Sequence, residues 1–473
     1  MASTRLLLLF TLLPLTGFAQ QPNRAKQLDS LFTQMNNANQ FNGSVLIAEK
    51  GKIIFEKGYG YSDETTKKRN NTQTIFELGS TTKQFTAAAI VLLKRQDKLQ
   101  YTDKMVKYLP ELGFWDQVTI YDLLRHTSGL PEDYISDMTE GLWGKNQIAT
   151  NADVIQYYVA HPDTLLFAPN SRHSYNNNNY AFLATIIERV SGMSYADFLA
   201  QNIFEPLHMQ HTFVYNRRLQ PRKIKNYAIG YTWDLHSMKK VVPELATRRD
   251  SMYYSLDGVV GSAKVNSNTE DLLKWLTALK NNTLFTQSEL DEMTAVTQTS
   301  KGKSIPYGFG FDVVKRDSSL VFGHTGAWDG YVSYVSQNMT KDRTIVILEN
   351  IRTGQFPYKN ITQILDNKPV ETVFPSKVIL PVASMEKFVG EYPETEDSTE
   401  THLISYHDGH LFYDAKKSGE WDLRFYPVSD HEFAGIMSSS ADAVMKFTTL
   451  ENGDVKLEML QHGEPVGSGI RKK

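Results

Sequence analysis

The chain has 473 residues, 41% of them hydrophobic, a formal net charge of −3 and no cysteine. Its length exceeds one ordinary domain and supplies ample core, so two domains are expected. The balanced charge excludes a basic field for nucleic acid or anionic membrane, and the lack of cysteine excludes disulfides, thiolate metal sites and a thiol nucleophile.

At the amino end Arg5 is followed by the apolar run Leu6 to Leu13, then by Gly17-Phe18-Ala19 ahead of Gln20-Gln21-Pro22. A charged start, a run too short to span a bilayer and small residues before the cut describe a cleavable signal peptide over residues 1–19. The competing reading is an uncleaved anchor. No cysteine follows the run to accept a lipid, and no later stretch is long and apolar enough to cross a membrane. The expected mature protein begins near Gln20, is exported to the periplasm or secreted, and has no stable membrane insertion.

Gly43 to Glu49 and Ile53 to Gly58 flank Lys50-Gly51-Lys52 and read as a β-hairpin. Thr81 to Gln96 is rich in Ala and Leu and apolar nearly all round, the pattern of a buried helix. Leu183, Ile186, Ile187 and Val190 fall at helical spacing after Tyr180, with Gly192 as the stop. Ser194 with Asp197 resembles a capping box opening the next helix. Between Pro306 and Asn350 short β-type runs return, including Tyr331 to Ser336 and Thr344 to Leu348. Strands early and late with helices between imply an α/β fold of the α+β type, its sheet assembled from both ends of one domain spanning 20–366.

Pro369, Pro375 and Pro381 punctuate a linker over 367–383. Residues 384–473 then show short strand-like runs separated by turns such as Asp408-Gly409 and Asn452-Gly453-Asp454, with one short helix near Met385, and read as a small barrel-like β domain. There is no internal repeat, and the only low-complexity patch is Asn176 to Asn179.

Three short motifs carry chemistry. In Ser80-Thr81-Thr82-Lys83 the two ends lie on one helix face, so the lysine amine reaches the serine hydroxyl. A desolvated lysine can take the proton that makes serine a nucleophile, and the first helical turn offers free N–H groups to a developing oxyanion. Alone, the pattern equally fits a capping serine and a solvated lysine. Tyr175-Asn176-Asn177 offers a phenol for acid–base work and an amide that can both donate and accept, or simply a polar loop with a helix cap. His324-Thr325-Gly326 lies between two strand-like runs, where a hydroxyl and an imidazole could hold a carboxylate and glycine would allow close approach. Alone, it is a turn containing a histidine.

In their order these motifs resemble the serine β-lactamase and penicillin-binding protein superfamily, its class C and D,D-peptidase-like branch above all. Phe76 to Lys83, Leu123 to Pro131, Ile203 to Met209 and Asp271 to Trp275 extend the likeness over roughly residues 26–365. The resemblance implies a β-lactamase/transpeptidase-like antiparallel sheet with helices on its faces and an all-helical subdomain. It implies that Ser80 is acylated, that Lys83 and Tyr175 share the proton traffic, and that Asn177 holds an acylamide side chain. The backbone N–H groups of Ser80 and Ala327 would form the oxyanion hole, while His324, Thr325 and Gly326 would face the substrate's carboxylate or its equivalent. The family often has lysine where His324 stands, and histidine is only partly charged near neutrality. That departure, with Tyr175 to Tyr180 reading Tyr-Asn-Asn-Asn-Asn-Tyr, turns the expectation from an efficient β-lactamase toward a peptidase- or esterase-like hydrolase.

The expected reaction is acyl transfer from a D-amino-acid amide or peptide, a small ester or a β-lactam, on a small-molecule or peptide substrate that includes peptidoglycan fragments. A D,D-carboxypeptidase or class C-like β-lactamase proper, and a non-catalytic cell-wall or β-lactam sensor, are the alternatives. His126 looks catalytic at a glance but falls in what resembles a structural turn. His402, His407 and His410 flank a turn and read as a solvated hairpin rather than a metal site. No cofactor or metal is expected. The tail resembles the lipocalin-like domain that follows many such hydrolases, as a lid on the cleft or as a binding module.

Overall fold

Lys50 and Gly51 take left-handed φ angles of 53° and 71°, closing the anticipated hairpin between β1 (Gly43–Glu49) and β2 (Lys52–Tyr59). The computed structural model describes residues 23–37, 40–137, 147–234, 239–245, 254–316, 319–351, 356–370, 378–394, 401–407, 409–415, 423–436, 442–461 and 464–472. The anticipated signal peptide, residues 371–377 of the linker and Asp408 lie outside them. No helix among the described residues is long and apolar enough to cross a membrane.

Four late strands, β3 (Asp312–Arg316), β4 (Ser319–Trp328), β5 (Tyr331–Asn338) and β6 (Arg343–Glu349), join the early pair in one antiparallel sheet of order β3-β4-β5-β6-β1-β2. The seam between the two ends of the domain is the β1–β6 ladder, from Gly43 opposite Glu349 to Glu49 opposite Arg343.

Both seam strands are apolar through their middle, Val45 to Ala48 and Ile345 to Leu348, because both faces are covered. Helices α1 (Arg24–Asn37), α2 (Lys83–Arg95), α3 (Asn177–Ser191), α4 (Thr269–Lys280) and α5 (Tyr358–Leu365) divide between those faces. Val45, Ile47, Ile345 and Ile347 point to Phe32 of α1 and Ile361 of α5. Their sequence neighbours Leu46, Ala48, Val346 and Leu348 point to the larger cluster that contains α2, α3 and α4.

Every residue of α2 from Lys83 to Leu93 is buried, matching its all-round apolar pattern. Asn176 caps α3 by accepting from Asn178 N–H, and Gly192, at φ 73°, ends it. The Ser194 hydroxyl accepts from Asp197 N–H and donates to its carboxylate at 2.6 Å, a serine N-cap that supplies one half of the anticipated capping box. Phe76–Glu77, Val265–Ser267 and Phe213–Val214 form a small antiparallel sheet that anchors the chain just before Ser80.

The tail forms eight consecutive antiparallel strands, β7 (Gly390–Pro393), β8 (Thr401–His407), β9 (His410–Ala415), β10 (Leu423–Pro427), β11 (Glu432–Ile436), β12 (Asp442–Thr449), β13 (Val455–Gln461) and β14 (Glu464–Arg471). A bridge between Glu394 and Gly469 brings the first and last edges together into a nearly closed barrel. Its interior is filled by side chains such as Phe388, Tyr392, Phe433 and Phe447, with Phe388 stacked on Phe447 at 4.2 Å.

Candidate active site

Ser80 stands in a tight turn, Gly79–Thr82, that runs directly into α2. Gly79 has φ 54°, and a Cβ there would lie 2.7 Å from Ala327 N. A Cβ on Gly326 would lie 1.9 Å from Leu78 O and 3.0 Å from Ser80 N. Two glycines from different motifs thus permit one contact, in which the Ser80 turn and β4 meet backbone to backbone. Ser333 stitches it from β5, donating to Leu78 O at 2.7 Å and lying 2.8 Å from Thr81 Oγ1.

This contact sets the Ser80 and Ala327 N–H groups close together. The Ser80 N–H belongs to a first turn, where intrahelical acceptors are lacking. β3 ends where Asp312 pairs with Gly323, so from His324 onward the outer edge of β4 has no strand partner among the described residues. Alternation along β4 buries His324 and Gly326 and exposes Thr325 and Ala327.

Lys83 has no exposed surface. Its Nζ lies 3.1 Å from Ser80 Oγ and donates to Asn177 Oδ1 at 2.8 Å and to Ser262 O at 3.0 Å. Burial pushes its pKa down to about 7, against a smaller opposing effect from Glu132. As a neutral amine, Lys83 can spend its N–H bonds on the two fixed acceptors, which turns its lone pair to the serine hydroxyl. The position that makes this possible is the i, i+3 relation read from the sequence.

Tyr175 completes the cluster. Its ring centre is 4.9 Å from Lys83 Nζ and its hydroxyl lies near the Ser80 side chain. Burial raises the phenol above its usual range and the Ser80 contact opposes this; since the residue is 41% exposed, solvent moderates the shift. Asn177 opens α3 with its side chain already engaged by Lys83, while its N–H donates to Glu132 Oε1 at 2.9 Å.

His126 is fully buried and reaches neither Ser80 nor Lys83 by any hydrogen bond among the described residues. It brackets Tyr175 instead: its carbonyl accepts from Ser174 N–H at 2.9 Å, its Nδ1 accepts from Asn176 N–H at 3.1 Å, and its ring packs 4.3 Å from the Tyr175 ring. Nδ1 as an acceptor requires a neutral ring, and burial holds this pKa well below the usual range.

His324 is placed differently from a side chain that greets a carboxylate. Its ring is 95% buried, Nδ1–H donates to Thr325 O, and Nε2 accepts from the Tyr307 hydroxyl at 3.0 Å. Burial, reinforced by the nearby Lys83, lowers its pKa to about 3, so it is neutral at any ordinary pH. Thr325 alone of the third motif presents an exposed side chain.

Sequence reasoning did not find Ser262, Glu132 or Tyr307. Glu132 follows the His126 to Pro131 segment and could have been flagged by adjacency. The Ser262 contact is a main-chain carbonyl, and Tyr307 is brought in by packing alone; neither leaves a local signal. In the tail, His402 is committed to Glu394 Oε2 at 2.5 Å and Tyr413 at 2.8 Å, while His407 and His410 stand opposite one another in the β8–β9 hairpin.

Comparison with known proteins gives a consistent picture. The family model described as Beta-lactamase matches residues 28–367. Penicillin-binding protein 4* of Bacillus subtilis (strain 168) is 34% identical over 421 residues, covering 87% of this chain and 91% of that protein. Among solved structures, the octameric penicillin-binding protein homologue from Pyrococcus abyssi superposes with a TM-score of 0.63 at 21% identity, over 94% of this chain and 99% of that one. D-amino acid amidase from Ochrobactrum anthropi SV3 gives 0.57 at 22% identity, over 73% of this chain and 95% of its own.

Proposed function

The chain belongs to the β-lactamase family of serine hydrolases, enzymes that work through an acyl-enzyme, and from that premise we propose that it is an exported hydrolase of D-amino-acid amides, D-amino-acid peptides or small esters. The observation that carries the reading is the buried Lys83 amine 3.1 Å from Ser80 Oγ, held by two fixed acceptors and titrating near 7.

The chemistry follows from that geometry. Ser80 Oγ attacks the substrate carbonyl carbon as its proton passes to Lys83 Nζ. The carbonyl oxygen, now an oxyanion, is held by the N–H groups of Ser80 and Ala327. Collapse breaks the bond to the amine or alcohol, which leaves with a proton returned through Lys83 and Tyr175. Water then attacks the ester on Ser80 and frees the acid.

The choice of substrate class rests on His324. A neutral, buried imidazole offers no fixed positive charge to a β-lactam carboxylate or a peptide's terminal carboxylate, which favours amides, esters and those peptides that lack a free carboxylate beside the scissile bond. β-Lactams remain expected acylating agents, taken up without that electrostatic help. The D-amino acid amidase among the structural neighbours is in keeping with this class.

The test is incubation with D-phenylalanine amide, p-nitrophenyl esters and a fluorescent penicillin, followed by mass spectrometry of the Ser80 peptide. An adduct on Ser80, and turnover lost in Ser80→Ala, are expected. Ester turnover that persists in Ser80→Ala with no adduct in the parent defeats the proposal. Export is checked by cell fractionation and amino-terminal sequencing, with Gln20 as the expected first residue.

A further inference from the structure

Behind the nucleophile turn lies a group of charged side chains that the chemistry above does not use. Lys264, with no exposed surface, donates to Glu77 Oε1 at 2.9 Å and Asp257 Oδ1 at 2.8 Å, and its Nζ sits 4.6 Å from the centre of the Trp328 ring. Asp257 continues the contact to Arg218 at 3.3 Å. Arg218 and Arg217 both reach Asp329 Oδ2, at 2.7 and 2.5 Å, and Glu244 bridges the two arginines at 2.7 and 2.9 Å.

Taking so many charges out of water costs several kcal/mol per ion, and a buried ion cluster is poor evidence for stability on its own. Its placement is more telling. Glu77 is three residues before Ser80, Asp329 is two after Ala327, and Lys264 is two after Ser262. Each therefore lies within three residues of a backbone group of the site: the two N–H groups and the carbonyl that orients Lys83. Glu77 and Lys264 are further locked by the small sheet, where Leu78 N–H donates to Val265 O at 2.9 Å. Asp329 occupies the β4–β5 turn with φ 48°, at the tip of the strand whose outer edge is unpaired. Lys264 itself takes φ 90°, a conformation unusual for a residue with a side chain and one that strained functional segments store.

We infer that this ionic cluster, centred on Lys264, is a positioning device for the oxyanion hole, fixing the Ser80 and Ala327 N–H groups and the Ser262 carbonyl from outside the reaction space. Apolar packing would hold the same segments together, but the short bonds from one ammonium to two carboxylates, and from two guanidiniums to one, also fix their register. The inference rests on the reading that those N–H groups hold the oxyanion.

Glu77→Gln and Asp329→Asn change charge while keeping shape, and asparagine tolerates the left-handed angle at 329; Lys264→Met is the harsher third variant. Each is measured in the full chain for the acylation rate and KM with a p-nitrophenyl ester, for melting temperature, and for the carbonyl stretching frequency of the Ser80 acyl-enzyme by difference infrared spectroscopy. The expected result is acylation slowed by ~10- to 100-fold, KM little changed, and a carbonyl band moved to higher frequency as its hydrogen bonds lengthen. A lowered melting temperature with unchanged acylation rate and an unmoved band in the two shape-preserving variants overturns the inference. Failure of the parent to form any Ser80 adduct would instead defeat the functional proposal on which it rests.

Discussion

At the scale of single residues the site is governed by which groups are kept neutral. On the proposed mechanism Lys83 must shed its proton before it can accept one from Ser80, and its pKa of about 7 places that change within the working range. The acylation rate is expected to rise as pH increases through about 7 and to level off above it, which rapid-mixing measurements across pH 5–9 would show. Replacing Lys83 with Met should slow acylation by ~10²- to 10⁴-fold, the usual span for loss of a general base. His126 and His324 are neutral for a different reason: each has a ring nitrogen that accepts a hydrogen bond in a buried setting. Their pKa values are depressed by folding, so below about 6.5 the unfolded chain binds protons that the folded chain does not. The stability these two histidines contribute is therefore full above that pH and falls progressively as the pH drops toward about 3, a trend that melting curves of the parent and of His324→Gln at stepped pH would separate from the carboxylates and Lys83. A methyl group added in Gly326→Ala would meet Leu78 O, separate β4 from the nucleophile turn and slow acylation by ~10²-fold or more, measured as kcat with the fold monitored by circular dichroism.

The elements deliver these residues with very different visibility. The Ser80–Lys83 pair could be read directly, because two residues three apart on a helix meet whatever the rest of the chain does. The α3 stop was visible as Gly192, since such caps depend on local backbone angles, whereas its start at Asn177 lies three residues before the Tyr180 read from the pattern. Asn176 shows what local reading misses: besides capping Asn178, its side chain donates to Leu130 O at 2.8 Å and so ties α3 to the segment that carries Glu132. Asn176→Ala is expected to cost roughly 2 kcal/mol, combining a lost cap with an orphaned carbonyl, detectable as a shift in denaturation midpoint, and to lower kcat by loosening Tyr175. The partnership of Gly79 with Ala327, the Ser262 carbonyl and the hydroxyl of Tyr307 were beyond reach, because each depends on strands and loops far apart in sequence. The histidine of the third motif was legible as a residue type but not as a burial state, which β4 decides by alternation.

For the whole molecule, the described residues form separate apolar clusters, and the barrel cluster from Met385 to Met459 shares no member with those between Leu28 and Leu365. We propose that the two parts unfold independently, so calorimetry should resolve two transitions, and a chain ending at residue 370 should keep the first of them. If ester turnover is unchanged in that shortened chain, the barrel does not act as a lid. A lid would be revealed by altered KM for bulky substrates with acylation of small esters preserved.

The pairing of β1 with β6 also has a bearing on time. The bond from Ser333 to Leu78 spans 255 residues, so the floor of the site and its nucleophile are made far apart on the ribosome. No catalytic pocket can exist until the last strand of the sheet has been synthesised and docked, and folding dominated by such distant pairings is intrinsically slow. A nascent chain is thereby kept chemically silent until the strand ending at Glu349 is in place.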